Sequence, residues 1–259
     1  MLTAERVDIA QFFTSWWLPL LAAPFIGSFL GVLILRLPDD EPVVFDRSRC
    51  RWCRHALGIR DLFPLVSWFA LHRRCRYCGS ALGWFYPNIE LAAVGVAAWA
   101  ATAVSGWLLW ATCGLGWTLL TLAVIDIRRM ILPDVLTLPL LCAGLGISFL
   151  LPQPLPLQHG IGAAAGFLSF FVIGRIYRWL RHRDGLGLGD AKLLAAGGAW
   201  VSWIGLPSVV LLGAVTALLM ALAQMALGDR AVAAQRLAFG PELCLGIWLV
   251  WLYGPLAVG

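Results

Sequence analysis

Two aspartates stand at the ends of apolar runs, where an ionisable side chain is costly. Asp126 closes one run, and Asp190, 64 positions later, ends the glycine-rich stretch GLGLGD at 185–190. Because a carboxyl at a membrane boundary costs free energy, two of them on one side indicate a functional site. Two carboxyls brought together cannot both stay ionised, so one keeps a proton while the other can take a proton from water. This is the division of acid and base in aspartic proteases.

Each aspartate also has an ordinary structural interpretation. Asp126 could pair with a neighbouring arginine, and Asp190 could cap the helix that follows it. The glycines lack the Gly-Lys-Ser/Thr ending of a phosphate-binding loop, and no predicted strand precedes them as a dinucleotide site requires. Glycines at alternate positions do allow another backbone to approach closely. Gly187 and Gly189 are therefore candidates for supporting the site and for binding an extended peptide.

Further charged residues lie at the same predicted membrane boundary. Lys192 follows Asp190 by two positions, where it could bias the ionisation of the pair or anchor the helix end at the inner surface. Asp134 and Glu242 begin apolar runs, and a carboxyl suits a helix start. Glu90 could line the site. We expect Lys192, Asp134 and Glu90 to support the pair of aspartates.

Four cysteines predict a metal site of another kind. Cys50-x2-Cys53 and Cys75-x2-Cys78 are separated by 21 residues, and each pair can present two thiols from one tight turn. Two such turns complete a tetrahedral four-thiolate zinc site. The alternatives are two disulfides or four unused thiols, and a cytosolic location argues against disulfides. We expect a structural zinc, because a loop of about 50 residues with few apolar clusters would fold poorly without it.

The composition indicates that these residues are carried by membrane helices. Of the 259 residues, 61% are apolar and 13% are charged. A soluble domain is about half apolar and a quarter charged, which excludes a soluble class. We predict an all-α polytopic membrane protein with about eight transmembrane helices and a small cytosolic zinc-binding segment. The predicted spans are 17–35, 87–105, 107–125, 134–151, 160–180, 191–205, 207–227 and 239–256.

Basic residues predict the orientation of these helices. With the N-terminus outside, the inside segments are 36–86, 126–133, 181–190 and 228–238. Together with the adjoining helix ends they hold 18 of the 19 Lys and Arg residues, as cytoplasmic segments should. This bias explains the net charge of +5, so nucleic-acid binding is not needed to account for it. The first 16 residues show no removable signal peptide, and we expect the first span to be retained.

The order of these motifs resembles the prepilin peptidase family, the leader peptidases of type IV pilus and type II secretion systems. The resemblance runs from about residue 27 to 245. It rests on the paired cysteines and on Gly27-Ser28-Phe29 through Arg36-Leu37-Pro38, Tyr86-Pro87-x-x-Glu90, Asp126-x6-Pro133-Asp134, Gly187-x-Gly189-Asp190-x-Lys192 and Phe239-Gly240-Pro241. The chain departs from the family pattern at Gly31 (commonly Asn), Arg51 (often Pro) and Glu242 (usually apolar).

The resemblance implies an aspartic endopeptidase of the bacterial inner membrane with Asp126 and Asp190 as catalytic carboxyls. Such enzymes cut the basic leader from prepilins or pseudopilins on the cytosolic face, and many methylate the new N-terminal residue using S-adenosylmethionine. The pilus or type II secretion assembly machinery is then a further partner. We expect an N-terminal helix at 1–35, the four-cysteine segment at 36–86 and a peptidase domain at 87–259.

Two other functions compete with this interpretation. A zinc-ribbon membrane transporter or assembly scaffold would place ionisable residues near the bilayer midplane, often in related halves. Here the acidic residues gather at one boundary and the sequence shows no repeat. A GxGD protease that cuts inside transmembrane helices would share the aspartates but would not explain the cysteines. The sequence favours the prepilin peptidase and leaves its substrate and oligomeric state open.

Overall fold

The protein is mostly helical over the residues that its computed structural model describes, which are 15–43, 48–50, 52–181, 187–227 and 238–256. These residues contain no β-strand, only two isolated β-bridges in the cysteine segment. Arg51 and Gly185, which the sequence singled out, lie outside the described residues. The α-helices are α1 (Trp17–Arg36), α2 (Val66–Ala70), α3 (Phe85–Ala103), α4 (Trp107–Arg129), α5 (Asp134–Ser148), α6 (Pro156–Arg181), α7 (Leu188–Ala226) and α8 (Gly240–Tyr253).

Several of the described helices are suited to a bilayer. Four are long and apolar enough to cross one: α1 with its extension to Asp39, α4, α6 and α7. Helices α5 and α8 are apolar but shorter. The prediction of a helical, multi-pass membrane protein is therefore confirmed. The prediction of eight crossings is not confirmed on this criterion, because length and composition qualify only four of the described helices.

The chain divides into two compact units, Met1–Trp117 and Thr118–Gly259. In the first unit α1 packs along α3 through glycine. A Cβ on Gly27 would lie 2.6 Å from the Cα of Glu90, so only glycine allows this approach. The indole of Trp117 donates a hydrogen bond to the carbonyl oxygen of Ala93 at 3.0 Å. These contacts join α1, α3 and the first half of α4.

In the second unit, helix α7 folds back on itself at Ser202. This residue has φ 61° and ψ 177°, which interrupts the helical geometry. Gly197, before the break, packs on Ile247 of α8, whereas Val209, after the break, lies against the neighbouring Gly246. In a straight helix residues 197 and 209 would be about 18 Å apart, whereas here they contact adjacent residues of α8. The two arms of α7 therefore run antiparallel beside α8.

The arms of α7, residues 188–201 and 203–226, correspond to two separate predicted spans. The first arm packs closely on α6, since a Cβ on Gly162 would lie 2.5 Å from the carbonyl oxygen of Gly198. The second arm returns toward the start of α8, where the backbone of Glu242 would lie 3.4 Å from a Cβ on Gly213. Gly213 is 11 residues after the break and Asp190 is 12 before it, so both lie at the same end of this hairpin.

Candidate active site

Helix α4 presents Asp126 to the start of α8. Asp126 is only 6% exposed, and its Oδ2 atom accepts a hydrogen bond from the backbone N–H of Gly240 at 3.0 Å. A Cβ on Gly240 would lie 2.5 Å from that same oxygen, so this contact requires glycine. Gly240 was expected only as part of the motif Phe239-Gly240-Pro241 and not as a site residue. A Gly-Pro pair at the start of the last apolar run is the signal that could have done so.

Asp190 lies in the first turn of α7. Its Oδ2 atom accepts a hydrogen bond from the backbone N–H of Gly187, the N-cap residue, at 3.2 Å. This is the reciprocal contact of a capping box, so Asp190 stabilises the helix start without being the N-cap itself. A Cβ on Gly189 would lie 3.1 Å from the Cβ of Leu132. Gly189 thus allows the start of α7 to pack on the segment that follows α4.

These contacts bring the carboxyls of Asp126 and Asp190 within electrostatic range of each other. Each carboxyl is oriented by one backbone N–H on its Oδ2 atom. Within the described part of the chain, neither Oδ1 atom has a hydrogen-bond partner. Because like charges in range of each other disfavour full ionisation, protonation of one carboxyl makes ionisation of the other less costly.

Lys192 and Asp134 connect the starts of α7 and α5. The Nζ atom of Lys192 lies 2.7 Å from each carboxylate oxygen of Asp134. Asp134 makes no capping hydrogen bond, because the N-cap of α5 is Pro133. The pair is partly exposed and adds about 0–1 kcal/mol to stability. The ammonium group of Lys192 thus binds Asp134, which joins the start of α5 to the first turns of α7, where Asp190 lies.

Glu90 lies in the first unit and is 4% exposed. Its Oε2 atom accepts a hydrogen bond from the backbone N–H of Leu65 at 2.8 Å. Leu65 precedes α2 and has a left-handed φ of 56°, which is unusual for a branched side chain. In the structure Glu90 therefore holds a strained turn between the two cysteine pairs.

The four cysteines of the predicted metal site come together in the first unit. Their Sγ atoms all lie within 4.8 Å of one another, and those of Cys50 and Cys78 are 3.9 Å apart. Tetrahedral zinc with Zn–S bonds of about 2.3 Å requires sulfur atoms about 3.8 Å apart. All seven cysteines of the chain are free thiols, so the disulfide alternative is not observed. The backbone N–H of Cys53 lowers the pKa of Cys50 to about 6, which favours the thiolate at that position, whereas the pKa of Cys53 is raised to about 11.

The two cysteine turns have the same backbone geometry. The N–H of Arg54 donates to the carbonyl oxygen of Cys50, and the N–H of Gly79 donates to that of Cys75, both at 2.9 Å. Arg54 and Gly79 occupy the same position in their turns and have left-handed φ angles of 56° and 69°. Each half of the cluster is therefore built by its own local sequence.

Asp61 ties the linker between the two turns to the second turn. Its Oδ1 atom accepts a hydrogen bond from Nε of Arg76 at 2.7 Å, and its Oδ2 atom accepts one from the N–H of Gly58 at 3.1 Å. The Arg76 guanidinium lowers the pKa of Asp61 below its usual value. This ion pair braces the cysteine segment without a metal.

Known proteins match nearly the whole chain. The type IV leader peptidase family matches residues 113–222, and the bacterial peptidase A24 N-terminal domain matches residues 21–104. The prepilin leader peptidase/N-methyltransferase of Aeromonas hydrophila is 36% identical over 255 residues, which cover 88% of this chain and 87% of that protein. The protein of the same name from Dickeya chrysanthemi is 37% identical, covering 93% of this chain and 94% of its own length. No solved structure matches the chain.

Proposed function

Because the chain belongs to the type IV leader peptidase family, we propose that it is an aspartic endopeptidase that removes the basic leader from prepilins or pseudopilins. Family membership makes the chain an enzyme. The observation that best supports the mechanism is that Asp126 and Asp190 lie within electrostatic range of each other, each with one backbone amide on its carboxyl.

In the proposed reaction one carboxyl is ionised and the other is protonated. The ionised carboxylate takes a proton from water while the water oxygen bonds to the carbonyl carbon of the scissile peptide. The protonated carboxyl gives its proton to the leaving nitrogen as the carbon–nitrogen bond breaks. The amides of Gly240 and Gly187 stabilise whichever carboxyl carries the negative charge.

We propose that this site faces the cytosol at the bacterial inner membrane. The support is the bias of 18 of the 19 basic residues toward the predicted inside segments. Eight crossings are reached when the two arms of α7 are counted separately and α3, α5 and α8 also cross. A basic leader then stays in the cytosol while the apolar segment after it remains in the bilayer, and pilus or type II secretion machinery receives the product.

We propose that Cys50, Cys53, Cys75 and Cys78 bind one structural zinc ion. The fit of the 3.9 Å sulfur separation to a tetrahedral site supports this assignment. A zinc ion would supply folding free energy to a segment whose described residues form one five-residue α-helix and two 3-10 turns. It takes no part in the proposed hydrolysis.

We propose a second activity, methylation of the new N-terminal amine. The relatives above are named as leader peptidases and N-methyltransferases. S-adenosylmethionine would supply the methyl group, and the amine would lose a proton. The described residues contain no βαβ unit for an adenosine, so no residue is assigned to the methyl donor. We place this activity apart from the aspartates, because hydrolysis needs water between them while methyl transfer needs a water-poor pocket.

The peptidase proposal is tested by incubating the purified protein with a prepilin and sequencing the N-terminus of the product. We expect cleavage directly before the apolar segment, and no cleavage by Asp126→Asn or Asp190→Asn. Glu41→Gln, which removes an exposed carboxyl in the first unit, is the control and should cleave normally. Cleavage by a folded Asp190→Asn protein would refute the assignment.

The methylation proposal is tested with an already cleaved pilin and labelled S-adenosylmethionine. The Asp126→Ala/Asp190→Ala protein should still label the N-terminal amine. Labelling that requires intact aspartates would show that the two activities share one site.

A further inference from the structure

Glu242 is a third carboxyl beside the aspartate pair. It lies in the first turn of α8, two residues after Gly240, whose N–H binds Asp126. Its carboxyl is within electrostatic range of both Asp126 and Asp190. The turn that orients one catalytic carboxyl therefore also carries Glu242 to the site.

One oxygen of Glu242 has no partner. The Oε2 atom is buried, and among the described residues it has no hydrogen bond. A buried oxygen without a donor is unfavourable in either protonation state, because a protonated carboxyl would leave a donor without an acceptor. Such an atom needs a donor from outside the described residues, and a substrate side chain that reaches the site can supply one.

The surroundings of Glu242 favour a cation as that ligand. Three carboxyls lie within electrostatic range of one another here, and a neutral donor would not reduce their mutual repulsion. Lys192, the basic residue two positions after Asp190, does not supply the charge, because both oxygens of Asp134 bind its ammonium group at 2.7 Å. A cationic side chain from outside the site would satisfy the free oxygen and compensate the charge together.

We infer that Glu242 is a specificity-determining residue that accepts a hydrogen bond from a Lys or Arg side chain of the leader. This inference rests on the proposed function, in which the leader is the basic part of the substrate. Because Glu242 lies within range of both aspartates, its partner is a basic residue near the scissile bond. The substrate is thereby selected on its leader side by charge and on the other side by its apolar segment.

The test uses the full-length protein and a set of prepilins, each with one basic leader residue replaced by Gln. With the unaltered enzyme, one replacement should lower kcat/KM by about tenfold or more, as expected for a site built to bind a specific polar group. Glu242→Gln should cleave that substrate and its parent at nearly equal rates. Glu242→Lys should prefer a substrate with Glu at the same leader position.

Two controls separate this inference from the proposed function. Glu41→Gln changes the net charge by the same amount as Glu242→Gln, but in the first unit. It should keep the preference of the unaltered enzyme for the parent substrate. If Glu242→Gln does not fold, Glu242→Asp should keep the sign of the preference and reduce its size. Equal cleavage of every substrate by the unaltered enzyme, or an unchanged preference in Glu242→Gln or Glu242→Asp, would overturn the inference alone. Cleavage that does not need Asp126 would refute the proposed function, and the inference with it.

Discussion

The cysteine cluster and the aspartate site differ in how far apart along the chain their parts lie. Cys50 and Cys78 are 28 positions apart, and each cysteine turn closes by its own backbone hydrogen bonds. Asp126 and Gly240 are 114 positions apart, and helix packing alone brings them together. The cluster can thus be damaged and restored locally, whereas the aspartate site depends on how several helices of its unit pack.

The two regions also differ in what they do to stability. Thiolates that bind a metal convert binding free energy into folding free energy. Carboxyls removed from water cost free energy, which the single amides on buried Asp126 and half-buried Asp190 only partly offset. Loss of the cluster should therefore loosen the fold, while loss of the carboxyls should leave a folded, inactive protein.

The largest effect should come from the aspartates. Asp126→Asn and Asp190→Asn should each reduce cleavage to below about a thousandth of the wild-type rate, because acid and base act together. The double variant should be scarcely worse than either single variant, as for other residues that act as a unit. Prepilin cleavage rates measure the loss of activity, and thermal unfolding in detergent measures whether the variants stay folded. Additive losses would show that the carboxyls act separately.

Gly240→Ala tests the packing that orients Asp126. The added Cβ would lie 2.5 Å from Oδ2 of Asp126 and must displace the carboxyl. We expect kcat to fall by about 10- to 100-fold with little change in KM, as when a catalytic group is misplaced by about 1 Å. Gly146→Ala is the matched control, since a Cβ there meets nothing within 4 Å. Equal activity of the two variants would contradict the assigned geometry.

Cys50→Ser tests the independence of the cluster. Zinc affinity should fall by at least about 100-fold, because a lost ligand costs no less than a lost supporting contact. Cleavage should fall less than in Gly240→Ala, since the aspartates lie in the other unit. Zinc content, protease digestion of the cysteine segment and cleavage rate are the measurements. Cys142→Ser, which alters an exposed thiol outside the cluster, should change none of them.

Asp61→Asn should have the smallest effect. The Asp61–Arg76 ion pair is half-exposed on the arginine side, so we expect a change in zinc affinity of about threefold or less. Because the folded pKa of Asp61 is lowered, its contribution is present above the usual value of 3.8 and is lost as the pH falls further. The wild-type and Asp61→Asn proteins are titrated with acid while the order of the cysteine segment is monitored. The extra acid sensitivity should appear only in the wild-type protein.

The sequence by itself was sufficient for features that depend on local spacing and composition. Two residues between cysteines define each turn, and the repeated pairs predicted the cluster that the structure shows. Long apolar runs predict membrane helices, because a helix bonds its own backbone groups where no water can reach them. The positions of Asp126 and Asp190 at run ends identified the candidate carboxyls, and their catalytic role stays a prediction.

Only the tertiary structure decided which groups meet across long stretches of chain. No local pattern shows that the amide of Gly240 binds Asp126, that Lys192 binds Asp134 or that Glu90 holds Leu65. The reversal of α7 at Ser202 brings Gly213 back to the level of Asp190. Such contacts depend on how helix surfaces fit together, and glycines far apart in sequence set that fit by allowing backbones to touch.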